Sequence, residues 1–113
     1  MSIEGKRAEI AAALSDVDGL TATPYPPSTM VEGHAWPLWG GAEPAEGYAL
    51  EHTWRVFVVL PADPKAASVR SDELLSDVMD ALRPVGYVDA AEPIALQTSG
   101  GDLSALRFTM RSE

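Results

Sequence analysis

One stretch of this 113-residue chain decides its fold, 48-YALEHTWRVFVVL-60. Its side chains alternate, so one set that begins with Tyr48 and another that begins with Ala49 point to opposite sides of an extended strand. Apolar residues alternate with polar ones at first, but the last five residues, 56–60, are all apolar. This pattern predicts a strand over 48–60. Its end is expected to be buried on both faces, and its first half to project beyond the sheet as a hairpin arm.

Two other segments have the spacing of amphipathic helices. In residues 3–17 a stripe of larger side chains recurs every three or four positions, and Ser2 precedes it as a candidate N-cap. In residues 63–83, Asp63 and Pro64 form a helix start, and a proline follows the last turn. The predicted stripes are Ile3, Arg7, Ile10, Leu14 and Val17 in the first helix, and Val69, Leu74, Leu75, Val78, Met79 and Leu82 in the second.

Four shorter segments have the composition of strands: 20–23, 35–39, 88–97 and 103–111. Pro37 would confine the second of them to a sheet edge. Breaker residues between the strands predict a loop over 28–33, a connector over 40–47 and a hairpin turn over 98–102. The resulting order is α-β-β-β-α-β-β. Because short turns favour antiparallel pairing, we predict a single α+β domain over residues 1–113 that has a mostly antiparallel sheet with two helices on one face.

Charge and composition exclude several classes of protein. Eight Lys and Arg residues against seventeen Asp and Glu residues give a net charge of -9, which opposes tight binding to phosphate backbones. The absence of cysteine excludes disulfides, thiolate zinc sites and a cysteine nucleophile. The longest apolar run, residues 56–60, is far too short for a membrane span, so we expect no membrane partner.

Few side chains have the pattern of a catalytic or metal site. His34 and His52 could be combined with Glu51 and a remote carboxylate into a zinc site, but their spacing matches no known ligand motif. Asp77 and Asp80 have the positions of a solvated helix face, not of an acid–base pair in a cleft. Neither a phosphate-binding loop nor a nucleophile elbow is present. We expect no enzymatic activity, no catalytic residue, no cofactor and no metal.

The aromatic side chains are more informative. Tyr25, Trp36 and Trp39 lie in or beside a Pro- and Gly-rich region, where large side chains with few rotors favour protein interfaces. The alternative is that the tryptophans fold back onto the sheet as a lid. A neighbouring subunit could also cover the second apolar face of residues 56–60. The candidate interface residues are Tyr25, Trp36, Trp39, Tyr48, Leu50 and Trp54.

In the order and spacing of these segments, nearly the whole chain resembles the tail terminator proteins of long-tailed bacteriophages, especially of phages that infect high-GC actinobacteria. The resemblance is carried by the opening helix 3–17 and by the segments 23-TPYPP-27, 35-AWPLWGG-41, 54-WRVFVVLP-61, 81-ALRP-84 and 98-TSGGD-102. None of these segments is a catalytic fingerprint, so the specificity lies in their succession.

The resemblance implies a structural virion protein that has neither enzymatic activity nor a cofactor. Members of this family form a hexameric ring that caps the growing tail tube, stops its polymerisation and presents a surface to the head-side neck proteins. The implied partners are copies of the same chain, the major tail tube protein and a head–tail connector or stopper protein. The implied location is the neck and tail of the virion, after assembly in the host cytoplasm. Genomic DNA would cross the ring without specific binding.

An acidic protein suits a channel that DNA crosses, because repulsion prevents adhesion. We hypothesise that some of the acidic residues of the second helix face the lumen: Asp72, Glu73, Asp77 and Asp80. Three alternatives stay open. They are another neck protein such as a head–tail stopper, a small cellular α+β binding domain, and an enzyme or metal protein that uses His34 and His52.

Overall fold

A computed structural model describes residues 2–45, 47 and 49–113 of the chain. Within these residues, two helices and five strands follow the predicted order α-β-β-β-α-β-β. Their bounds are Ile3–Ser15 (α1), Thr21–Ala22 (β1), His34–Pro44 (β2), Leu50–Val59 (β3), Pro64–Leu82 (α2), Tyr87–Thr98 (β4) and Gly101–Ser112 (β5). The predicted α+β fold with a mostly antiparallel sheet is confirmed.

One sheet contains the described strands in the order β1-β2-β3-β5-β4. The pairs β2–β3, β3–β5 and β5–β4 are antiparallel, whereas the short β1 is parallel to β2 and pairs only with His34 and Ala35. The parallel pair differs from the expectation of short hairpin connections, because a long loop, residues 23–33, carries the chain back before β2 begins. Pro37 lies beyond the two residues of β2 that pair with β1. On that side none of the described strands neighbours β2, so the N–H that proline lacks is not needed for a sheet hydrogen bond.

The Gly-rich segment 40–47, predicted as a connector, is largely strand. β2 continues to Pro44 through a bulge between Trp39 and Gly41, and Gly41 has a φ of 119°, in the region that favours glycine. Breaker residues here mark an irregularity inside a strand and not its end. The turn predicted over 98–102 is also shorter than expected, because β4 ends at Thr98 and β5 begins at Gly101, which leaves two residues between the strands.

The predicted two-sided burial at the end of β3 is confirmed. One side of the strand faces both helices and contributes Trp54, Val56 and Val58 to the main core, together with the neighbouring Leu60. The helix residues that complete this side of the core are Ile10 and Leu14 of α1 and Ala67, Leu74, Val78 and Leu82 of α2. Phe57 and Val59 point to the opposite side, which we call the helix-free face.

A second apolar cluster lies on the helix-free face. Trp36 stacks on Phe57 with ring centroids 5.6 Å apart, and Val59 joins them in the cluster. Partly buried side chains of the loop before β2 and of β4 and β5 pack against it: Met30, Ile94, Leu96 and Leu103. The chain therefore buries the second side of β3 itself, and no neighbouring subunit is needed for that purpose.

Both helices begin at their predicted caps. Ser2 Oγ accepts a hydrogen bond from the backbone N–H of Gly5 at 2.9 Å, and Asp63 Oδ2 accepts one from Ala66 at 2.9 Å. These side chains satisfy backbone donors that the first helical turn leaves unpaired. Among the described residues, we find no helix with the length and apolarity required to span a membrane.

The predicted apolar stripe of α2 is only partly buried. Leu74 and Val78 lie in the core, but Val69 and Leu75 are 52% and 45% exposed. Leu75 follows Leu74 by about 100° around the helix, so it turns away from the core that Leu74 enters. The predicted first helix extends to Val17, but α1 ends at Ser15. Val17 is nevertheless buried, just beyond the end of the helix.

The hairpin that connects β2 and β3 projects beyond the sheet, as predicted, but only Leu50 and Glu51 of β3 project and not the first half of residues 48–60. Pairing between β3 and β5 starts at His52, whereas β2 and β3 stay paired out to Pro44 and Leu50. The described residues 43–45, 47 and 49–51 therefore reach past β5, and we call them the arm. Tyr48, a predicted interface residue, lies outside the described residues.

Candidate functional site

Aromatic and apolar side chains meet at the base of the arm, on the side of the sheet that carries the helices. Trp39 lies directly opposite Trp54 in the β2–β3 ladder, and its Nε1–H donates a hydrogen bond to Nδ1 of His52 at 3.1 Å. Leu50 precedes His52 by two positions and shares its face of the strand. We call Tyr25, Trp39, Leu50 and His52 the aromatic patch.

Arg7 lies against both Tyr25 and Trp54, the residue opposite Trp39 in the ladder. Its guanidinium carbon lies 4.8 Å from the ring centroid of Tyr25 and 5.6 Å from that of Trp54. The loop that carries Tyr25 is also tied locally, since Thr23 Oγ1 donates a hydrogen bond to the Tyr25 carbonyl at 2.7 Å. Cation–π contacts of this kind hold an exposed ring in place. The polar Arg7 within the predicted apolar stripe of α1 is thereby explained.

The predicted interface residues divide into exposed and buried groups. Tyr25, Trp39 and Leu50 are 52%, 39% and 51% exposed, so their side chains are accessible to a partner. Trp54 is fully buried, and its Nε1–H donates to Ser112 Oγ at 3.0 Å. Trp36 is buried on the helix-free face, where it stacks on Phe57. Of the two alternatives, an interface residue or a residue that folds back onto the sheet, the structure supports the second for Trp36. Trp36 and Trp54 therefore support the fold, while the other three form the accessible surface.

The four acidic residues predicted for a lumen lie exposed on α2. Glu73 is 3.2 Å from Arg70, and Asp80 is 3.0 Å from Arg83, so part of their charge is compensated. Two acidic residues that sequence analysis did not single out, Asp16 and Asp18, line a groove with Asp77 and Asp80 where α1 ends beside α2. Their proximity depends on how the helices pack, which no local pattern reveals.

The helix-free face carries a row of ion pairs beside its apolar cluster. Arg107 pairs with Glu92 across the β4–β5 ladder. Arg111 donates to both carboxylate oxygens of Asp89 at 2.7 and 2.8 Å, and lies 3.5 Å from Glu51. The hydrogen bonds to Asp89 and its charge raise the pKa of the Arg111 guanidinium above its ordinary value.

The two histidines are far apart. His34 begins β2 beside the end of β3, whereas His52 lies at the start of β3 and is bonded to Trp39. Seven residues of extended strand correspond to about 23 Å, too far for a shared metal ion. The zinc site drawn from these residues is therefore wrong. In the described part of the chain, no group of three or more His, Cys, Asp or Glu side chains is arranged to hold a metal.

Arg7 offers a direct test of how the aromatic patch is held. We expect Arg7→Ala to lower the free energy of unfolding by about 1–2 kcal/mol, because two cation–π contacts and the packing of the arginine stem are lost together. Urea denaturation measures the change. Arg83→Ala is the matched control, since this exposed ion-pair partner of Asp80 should contribute less than about 0.5 kcal/mol. Equal effects of the two substitutions would contradict the role given to Arg7.

Comparison of the chain with family models and with curated proteins gave no match.

Proposed function

We propose that the protein is the subunit of a ring of the tail terminator type, which closes the end of a phage tail tube and joins it to the head-side neck proteins. The observation that carries the proposal is the arm. It reaches past β5, and at its base and along one of its faces it presents the exposed side chains of Trp39 and Leu50. Apolar groups held on a projecting, hydrogen-bonded hairpin are suited to contact another protein chain.

Ring closure supports this use of the arm. A ring requires heterologous contacts, in which one surface of each subunit meets a different surface of the next. The arm is a protruding element, and the bulk of the sheet is the surface it could reach on a neighbour. The number of subunits, six, follows from the family resemblance.

The charge of the chain supports passage of DNA through such a ring. The net charge of -9 disfavours adhesion to a phosphate backbone. In the described residues Asp72 and Asp77 have no ion-pair partner, in contrast to Glu73 and Asp80. We therefore assign Asp72 and Asp77 to the lumen first, with the other two beside them.

The partners in this proposal are copies of the chain, the major tail tube protein and a head–tail connector or stopper protein. The protein acts without catalysis or cofactor, in the neck of the virion, and is assembled in the host cytoplasm. Its task is to make contacts of fixed geometry at two ends of one ring.

Tube growth in vitro tests the proposal. Tail tube protein is polymerised alone and with increasing amounts of this chain, and tube lengths are measured by electron microscopy. We expect shorter tubes that each carry a ring at one end. Unchanged lengths with bare tube ends at excess protein would contradict the proposal, and a ring that binds neck proteins but never the tube would identify a stopper instead.

A further inference from the structure

Arg55 is a cation without a carboxylate partner among the described residues. It lies half-buried on the helix-free face, between Leu38 of β2 and Thr109 of β5 in the ladder. Its guanidinium fits against the β2 bulge, where a side-chain carbon at Gly40 would come within 2.8 Å of Nη1. The neighbouring arginines of this face, Arg107 and Arg111, both have carboxylate partners.

The arm has the opposite charge imbalance, because its sequence contains carboxylates without a matching cation. Glu43 lies directly opposite Glu51 in the β2–β3 ladder, so two carboxylates share one face of a narrow hairpin. Like charges in this position repel each other and destabilise the pair. Arg111 compensates Glu51 at 3.5 Å, whereas Glu43 is exposed and has no ion pair within the described ranges. Residues 40–54 contain no Lys or Arg that could supply one.

Glu43 and Arg55 do not form an ion pair with each other within one chain. Glu43 faces Glu51, which precedes Arg55 by four strand residues, a distance of about 13 Å along the sheet. The Arg55 side chain is moreover folded toward Gly40 at the bulge. Another molecule can supply a carboxylate for Arg55, and the arm of a second copy carries one in Glu43.

We propose that Arg55 binds Glu43 on the arm of a second copy of this chain, with Leu38 as the apolar neighbour of the contact. Leu38 lies opposite Arg55, is 41% exposed and gives the incoming arm an apolar surface. The planar guanidinium can bind both oxygens of a carboxylate, which fixes orientation as well as position. This inference deepens the proposed function and rests on its premise that copies of the chain associate.

Charge reversal tests the pair. We expect Arg55→Glu and Glu43→Arg each to raise the concentration for half-assembly at least about tenfold, and the double variant to restore it to within about threefold. Mass photometry over a dilution series measures the assembly. Lys65→Glu is the matched control, because Lys65 is exposed on α2, lacks an ion pair among the described residues and undergoes the same charge change. Circular dichroism confirms that each variant is folded.

Each outcome has a distinct meaning. If Arg55→Glu behaves like Lys65→Glu, or if the double variant does not recover, the inference is wrong while a ring built on other contacts still stands. If the pair rescues assembly but only dimers form, the inference holds and the proposed ring is wrong. A wild-type chain that stays monomeric at millimolar concentration, also in the presence of tail tube protein, overturns both.

Disulfide trapping separates ring from dimer, since the chain has no cysteine of its own. In the double variant Glu43→Cys and Arg55→Cys, the two sites of one chain are too far apart to bond, because a disulfide needs Cα atoms about 4.4–6.8 Å apart. Heterologous contacts should give a ladder of crosslinked species on a non-reducing gel, whereas a two-fold contact stops at the dimer. The single-cysteine variants are the controls and should lack the ladder. Absence of any crosslink in the double variant contradicts the proposal.

Discussion

Replacing Leu50 with aspartate is expected to leave the protein folded but unable to assemble. Leu50 is 51% exposed on the arm, so the isolated chain should change its free energy of unfolding by less than about 0.5 kcal/mol. In an assembly the leucine would be desolvated, and a carboxylate at this position would lose its hydration. Burial of a leucine contributes about 1.5–3 kcal/mol, so we expect association to weaken at least about tenfold. Analytical ultracentrifugation over a concentration series measures the change.

Val69→Asp is the matched control for this experiment. Val69 is 52% exposed, and the substitution introduces the same charge on α2, away from the arm. We expect its assembly to equal that of the wild-type chain. If both variants assemble normally, the arm is not the contact surface, and if both fail, the loss is an effect of net charge.

Replacing Trp54 with alanine should have the largest effect on the fold. The indole is fully buried between α1 and the sheet, lies under the Arg7 guanidinium and is hydrogen-bonded to Ser112. Removal of a buried tryptophan costs about 3–5 kcal/mol, a large part of the roughly 5–15 kcal/mol that stabilises a domain. Guanidinium denaturation followed by circular dichroism measures it.

Trp54→Phe separates packing from hydrogen bonding at the same position. It keeps an aromatic ring but removes the Nε1–H donor and leaves the buried Ser112 hydroxyl without that partner. We expect a loss of about 1–2 kcal/mol. A change for Trp54→Ala no greater than that for Trp54→Phe would contradict the account of Trp54 as a packing centre.

Much of the fold follows from local patterns. The alternation of β3 predicts which of its residues share a face, and its final apolar run predicts burial on both faces. The two clusters of buried side chains lie on these two sides of the strand. The caps Ser2 and Asp63 are equally local, since each bonds a backbone N–H three residues later.

Other features depend on contacts between distant segments. Glycine predicts a break in Gly40-Gly41, but pairing with β3 stabilises a bulge there and the strand continues. Trp36 is of a residue type that is common at interfaces, but Phe57 lies opposite it in the β2–β3 ladder and stacks on it within the same chain. The strand β1 lies within the predicted segment 20–23, but its parallel pairing with β2 has no local sequence signal.

The candidate site was only partly predictable for the same reason. Exposed Tyr25, Trp39 and Leu50 follow from their position in turns and on the arm. The role of Arg7 depends on how α1 packs beside the loop that carries Tyr25. The pairing of Glu43 with Glu51 depends on the register of the bulged hairpin. Likewise, the lack of a carboxylate beside Arg55, in the part of the sheet that the structure describes, becomes apparent only once its neighbours in β2 and β5 are known.

The particle formed by the purified chain tests the central claim most directly. Electron microscopy combined with native mass spectrometry determines its copy number and shape in one preparation. We predict a closed ring of six 12.0 kDa subunits, about 72 kDa in total, in which each arm contacts the next copy. A chain that stays monomeric or dimeric at every concentration, also in the presence of tail tube protein, would contradict the account.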